Sequence, residues 1–221
     1  MLSVWVKFVA TLKALLQEIA ASRKGVKPSF EAVHVIKTFL ILYENEPMGR
    51  NTLSKMLGLS ITSTRTLIRR MREWSLVNVD VIGGCYLTER GREVATKILN
   101  TVPKVCDVSK VLGEDLRLAG YAWASLIRHG VPLIEKIGII NVRDRVIAYG
   151  SKAALIVFIS NGQAYIPPDY SLNEMKYGSL KRLREFLVAS DKDAILVSFS
   201  EDVTKAERAL LNVIIDLFLD S

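Results

Sequence analysis

The sequence predicts an α+β chain of two domains. Three observations carry that prediction. The first hundred residues read as a run of helices interrupted once, near Gly83-Gly84, by a short β-ribbon. From residue 116 onward, strand and helix patterns alternate. The charge is also unevenly divided. Residues 1–102 hold 15 Lys and Arg against 8 Asp and Glu, and residues 103–221 hold 15 against 15. The whole excess of +7 therefore belongs to the first part, which marks that part as the partner of a polyanion.

The first element is an amphipathic helix over Val4 to Ala21. Trp5, Phe8, Leu12, Leu15, Leu16 and Ile19 recur at three- and four-residue steps and form one apolar face. Lys7, Lys13, Gln17 and Glu18 interrupt the stretch, so it suits neither a membrane span nor a signal peptide. Its apolar face is expected to pack on its own domain or on the same helix of a second chain; attachment to a membrane surface is the weaker reading. A polar, basic link from Ser22 to Pro28 follows.

Ser29 is expected to cap a helix reaching Tyr43, with Val33, Ile36, Phe39 and Leu40 as its buried stripe. Pro47 and Gly49 punctuate the chain before a short helix, Arg50 to Leu57, whose Leu53, Met56 and Leu57 point inward. Gly58 supplies a left-handed turn and Leu59 a plug. Ser60 caps a helix from Ile61 to Glu73, with Thr64, Ile68 and Met71 on its inner side. Leu76, Val77, Val79 and Val81 then form a strand, and Gly83-Gly84 a tight hairpin turn. Cys85 to Leu87 return. Thr88 caps a last helix through Asn100, with Glu89 in its first turn.

Gly58-Leu59-Ser60, the Ser/Thr/Arg-rich helix, Leu76-Val77 and Leu87-Thr88-Glu89-Arg90-Gly91-Arg92 together resemble the winged helix-turn-helix domains of prokaryotic transcription regulators. The resemblance covers about seventy residues. It implies that double-stranded DNA is the partner and that the helix from Ile61 to Glu73 enters the major groove. Short hydroxyl side chains near that helix's N-terminus suit base edges, and longer guanidinium groups reach guanines or phosphates. The expected base-edge contacts are Thr62, Ser63, Arg65 and Thr66, and the expected phosphate contacts are Arg69, Arg70 and Arg50. The ribbon tip departs from the family pattern. Asp80 to Cys85 contains no Lys or Arg, so the wing is expected to add little to DNA binding, and its apolar tip suits a protein contact as well.

In the second domain the predicted order is strand (Leu116–Ile127), helix (Pro132–Tyr149), strand (Ala153–Ser160), Asn161-Gly162 turn, strand (Gln163–Ile166), helix (Leu172–Ser190), strand (Asp193–Phe199) and helix (Val203–Leu219). Without the last helix, that βαββαβ order is that of a ferredoxin-like sandwich. The domain boundaries expected are 1–28 for the leading helix and link, 29–102 for the DNA-binding domain, 103–115 for a connector, and 116–221 for an α/β regulatory or dimerisation domain.

The stretch from Asn141 to Ala154 resembles the signature of an uncharacterised domain that follows a winged helix in archaeal proteins. There Arg143 and Arg145 can hold an anion, with Asp144 as counter-charge and Gly150-Ser151 allowing close approach of an unknown small-molecule effector. A surface ion cluster beside a tight turn explains the same residues equally simply. Cys85 and Cys106 lack metal spacing and fit reduced thiols in a cytoplasmic protein. His34 and His129 stand alone. No phosphate-binding loop, paired-histidine metal site or nucleophile elbow is present, so neither a metal, a cofactor nor catalysis is expected. The sequence reading is thus a cytoplasmic, homodimeric DNA-binding regulator with no membrane partner. A protein-interaction adaptor and an enzyme with its site in the second domain are the alternatives.

Overall fold

A computed structural model describes residues 11–23, 25–80 and 82–219. Trp5 and Phe8 of the leading helix and Val81 of the ribbon lie outside the described residues. The chain is mixed α+β, with two antiparallel sheets among the described residues. It divides into two compact units between Thr96 and Lys97.

In the first unit, α1 (Leu12–Ala20) starts where the Thr11 hydroxyl accepts from the Ala14 N–H at 3.2 Å. Leu15, Leu16 and Ile19 are buried. They pack toward α2 (Ala32–Asn45) and, later in the chain, toward the helix at 61–73, so α1 is covered by its own unit. Ser29 is not the cap of α2. Glu31 is, in a reciprocal arrangement where its side chain accepts from the His34 N–H and its own N–H donates to His34 Nδ1 at 3.0 Å. A carboxylate at this position meets the helix dipole better than a hydroxyl two residues earlier.

Next comes α3 (Arg50–Leu57), which buries Leu53 and Leu57 but leaves Met56 exposed, contrary to expectation. Gly58 takes φ +68° and ends it. Ser60 then caps α4 (Ile61–Glu73), its Oγ accepting from the Ser63 N–H at 3.1 Å. Thr64, Leu67, Ile68 and Met71 are buried along one side of α4.

The ribbon pairs β1 (Val77–Asp80) with β2 (Gly84–Leu87), Val77 opposite Leu87 and Asp80 opposite Gly84. Asp80 Oδ1 ties the turn by accepting from the Ile82 and Gly83 N–H groups at 2.8 and 2.6 Å. Only Gly84 has the positive φ expected of both turn glycines. Its missing Cβ also serves packing, because one would lie 2.5 Å from the Met48 carbonyl oxygen. Met48 and Cys85 exchange two backbone hydrogen bonds, at 2.8 and 2.7 Å, adding a one-residue third strand. Thr88 caps α5 (Glu89–Thr101) by accepting from the Gly91 N–H at 3.0 Å.

The second unit centres on a five-stranded sheet. Its strands are β3 (Lys104–Asp107), β4 (Tyr121–Ile127), β5 (Ala153–Ser160), β6 (Gln163–Tyr165) and β7 (Ala194–Ser200). Between them run α6 (Gly130–Ile137), α7 (Ile139–Ala148) and α8 (Gly178–Leu187), and α9 (Val203–Leu217) follows β7. Several expectations are corrected here. The 103–115 segment is not a connector. It supplies β3 and places Val108 and Leu112 in the core. The helix expected over Pro132–Tyr149 breaks at Gly138, whose φ of +98° no α-helix accommodates. The helix expected over Leu172–Ser190 is confined to α8, because Asp169 to Tyr177 fold into hydrogen-bonded turns.

The strand order is β3-β4-β7-β5-β6, and it overturns the ferredoxin-like assignment. In a ferredoxin-like sheet the second strand of the central hairpin, here β6, lies between the two strands joined by the first helix. Here β7 occupies that place, antiparallel to both β4 and β5. The physical reason lies in the strands themselves. All seven residues of β7 are buried, whereas β6 has three residues and ends before Pro167-Pro168, which suits an edge. Leu180, Leu183 and Leu187 of α8 join Val157, Val197 and Phe199 in the core on one face of the sheet, while α7 and α9 cover the other.

Candidate nucleic-acid interface

Burial of one side of α4 fixes what its other side presents. Thr62, Arg65 and Arg69 are exposed, and Ser63 and Thr66 are half-buried. These are five of the seven residues expected to meet DNA, and they share one helix face. The Thr66 hydroxyl donates to the Thr62 carbonyl at 3.2 Å, which leaves its oxygen to accept. Arg50, at the exposed start of α3, lies on the neighbouring helix. Among the described residues no carboxylate pairs with Arg50, Arg65 or Arg69.

Arg70 is the exception, and its expected phosphate contact is withdrawn. Its side chain is only 5 % exposed. Nη1 donates to the carbonyls of Ile19 and Ala21 at 2.9 and 2.6 Å, and the guanidinium lies 5.2 Å from the Phe30 ring centroid. Those carbonyls end α1, where helical partners run out and a cation is favoured. Arg70 therefore fastens α1 to α4. Burial lowers its pKa, the nearby Arg23 and Arg69 charges lower it further, and Glu73 opposes them.

A groove runs between α4 and the link that precedes α2. Its volume is about 370 Å³. Thr62, Ser63, Thr66 and Arg69 form one wall, and Arg23, Lys27 and Ser29 lie on the other. The link holds its shape through a turn in which Arg23 and Val26 exchange backbone hydrogen bonds at 3.2 and 3.0 Å, with Gly25 at φ +78°. Arg23 also pairs with Glu73. Arg23 and Lys27 were not singled out from the sequence. The signal was there as a basic composition between Ser22 and Pro28, but nothing in the order of residues says which helix the link will face.

The ribbon tip is apolar, as its composition implies. Ile82 is 97 % exposed, and Asp80 is turned back onto the turn's own N–H groups.

The second unit separates the residues expected to hold an effector. Arg143 is engaged by Asp144 at 3.1 Å, and Arg145 lies 3.4 Å from Asp216, which also accepts from the Tyr149 hydroxyl at 3.0 Å. Ser151 does not face solvent. It is buried, its Oγ lies 2.8 Å from both the Ala153 and the Phe199 carbonyl oxygens, to one of which its single hydrogen is donated, and it accepts from the Phe199 N–H at 3.1 Å. It knots the start of β5 to β7, so it is withdrawn as a ligand residue. Gly150 takes φ +100°, which the sharp exit from α7 requires. Cys85 and Cys106 are free thiols, and burial raises the pKa of each.

Residues 118–217 match a family model described as a domain of unknown function (DUF4443). The structure resembles the hypothetical protein PH0730 from Pyrococcus horikoshii OT3, with a TM-score of 0.66 and 22 % identity. The match covers 86 % of this chain and 93 % of that one, and at this identity it speaks for the fold alone. No curated protein matches this chain.

Proposed function

We propose that the chain is a sequence-specific DNA-binding transcriptional regulator, with its first unit a winged helix-turn-helix whose α4 lies in the major groove. The observation that carries this reading is the α4 face itself. Five hydroxyl and guanidinium residues line up there, and neither guanidinium is neutralised by a carboxylate of the described chain. The groove of B-DNA is about 12 Å wide and admits one helix. The Met48–Cys85 bridge and the β1–β2 ribbon after α4 support the winged form. Thr62, Ser63, Arg65 and Thr66 read base edges, and Arg69 and Arg50 hold backbone phosphates.

In this reading the protein is a cytoplasmic homodimer, because two half-sites multiply contacts on a nearly two-fold symmetric duplex. The second unit serves dimerisation, effector sensing or both. An effector acts only by binding one dimer arrangement better than another. Arg143, Asp144, Arg145 and Gly150 remain its candidate surface.

Selection of bound fragments from genomic DNA by the purified protein tests the reading. A recurring motif with two-fold symmetry is expected, and Arg65→Ala with Arg69→Ala abolishes the enrichment. Fragments without any shared motif, or enrichment unaffected by the double variant, overturn it.

One observation favours a second reading, a protein-interaction adaptor. The ribbon tip presents Ile82, 97 % exposed, and the ribbon from Val77 to Leu87 carries no Lys or Arg, a composition that suits an apolar protein surface better than a phosphate.

A further inference from the structure

We infer that the groove between the Arg23–Phe30 link and α4 is a phosphate seat, taking one phosphodiester group of the duplex that α4 reads, with Lys27, Arg23 and Arg69 as its cationic walls. This rests on the DNA-binding reading of α4 and adds a contact which that reading does not contain.

Four observations converge. First, the groove combines cations from both walls with neutral donors. Arg23 and Lys27 come from the link, Arg69 from α4, and the hydroxyls of Ser29, Thr62 and Ser63 line the same space. Charge with short hydroxyl donors is the usual set for a phosphate oxygen. Second, the local field is positive and under-compensated. The fixed charge of Arg70 borders the groove, and Arg23 and Arg69 both repel it. Among the described residues Glu73, paired with Arg23, is the carboxylate that offsets them at Arg70. Third, the buried Nε of Arg70 has no hydrogen-bond partner among the described residues, so the guanidinium that borders the groove is not fully satisfied by the protein.

Fourth, the ribbon leaves a vacancy of function. From Val77 to Leu87 there is no Lys or Arg, so β1 and β2 bring no cation to DNA. The link is fastened to the C-terminal half of α4, at Arg70 and Glu73, and the groove runs from there to the hydroxyls of Thr62, Ser63 and Thr66. A strand passing those hydroxyls passes the groove as well. The backbone turn between Arg23 and Val26 sets the link's shape before DNA arrives, so little ordering entropy is lost on binding.

The test uses the full chain and a labelled random-sequence duplex, with affinity followed by anisotropy from about 50 to 200 mM salt. Each phosphate neutralised contributes about 0.9 to the slope of log affinity against log salt. Lys27→Ala is expected to lower the slope by about one, weaken every duplex alike by about three- to tenfold, and leave the unfolding midpoint unchanged. Lys27→Arg is expected to restore the slope. A steep wild-type slope that Lys27→Ala leaves intact overturns the seat while the DNA reading stands. No salt-dependent binding by the wild type overturns both. Inorganic phosphate, added at constant ionic strength, is expected not to compete. Competition that requires Lys27 assigns the groove to free phosphate and overturns the phosphodiester assignment.

Discussion

Arg70 and Ala21 stand 49 residues apart and share a hydrogen bond of 2.6 Å from the guanidinium Nη1 to the backbone carbonyl. The same nitrogen reaches Ile19, so one arginine closes the end of α1. Four residues earlier on α4, Thr66 faces the groove, and Arg69 beside it is exposed. Neighbouring arginines of a single basic helix thus have opposite duties: Arg70 holds the unit together and Arg69 faces solvent.

Arg70→Met is therefore expected to act on stability. It removes two charge-assisted hydrogen bonds to carbonyls, each of the class worth about 1.5–3 kcal/mol. A methionine retains part of the packing against Phe30. The expected loss is about 2–3 kcal/mol for the first unit, read from denaturant midpoints. A variant as stable as wild type but deficient in DNA binding contradicts the structural assignment.

Gly91→Ala tests the fit of α5 against the ribbon's entry. A Cβ there would lie 1.9 Å from the Leu76 carbonyl oxygen. Backbone must move to admit it, at an expected cost of about 3 kcal/mol or more. Thermal melts and soluble yield report it directly, and an unchanged melt shows that α5 has room to shift.

Much of the first unit was legible because its signals are local. Gly58 and Ser60 act within four residues of themselves, and Thr88 meets Gly91 three residues on. Asn161-Gly162 reads the same way, both residues taking positive φ in the turn that joins β5 to β6. Non-local relations were not legible. Lys104 to Asp107, between Pro103 and Gly113, looks like a connector until β4 supplies its partner. The central place of β7 depends on competition among strands for burial, which no single segment records. Arg70 carries the same residue type as Arg69, and only the end of α1 distinguishes them. The break at Gly138 had a residue-level signal, yet a glycine within an apolar periodic stretch is also tolerated in helices at modest cost.

Acid stability of the second unit follows from Glu174. Burial pushes its carboxyl up, but the Arg184 hydrogen bond, the Ala164 N–H at 2.8 Å and the Arg184 charge outweigh it and hold the pKa below the ordinary glutamate value. A folded-state pKa below the unfolded one stabilises above the unfolded value, and that stability is lost as pH falls through the folded value. Wild type is expected to lose this contribution as pH falls below the ordinary glutamate value of about 4.3 and on through the lower folded-state value. Glu174→Gln is expected to be less stable at pH 7 and to show a flatter decline. Parallel pH profiles for the two proteins contradict the assignment.

Ile82→Ser separates the regulator from the adaptor. The side chain is 97 % exposed, so folding is expected to be unaffected, within about 0.5 kcal/mol. DNA affinity is expected to be unchanged as well, since the ribbon brings no cation to the duplex. Loss of a cellular phenotype with intact DNA binding favours the adaptor.

The most direct measurement is the affinity of the full chain for a random-sequence duplex as salt is raised, with Arg65→Ala plus Arg69→Ala alongside. A steep fall is expected for wild type, and a slope shallower by about one to two for the double variant, with folding intact. A flat response, or identical slopes for the two proteins, contradicts the assignment of α4 as the helix that meets DNA.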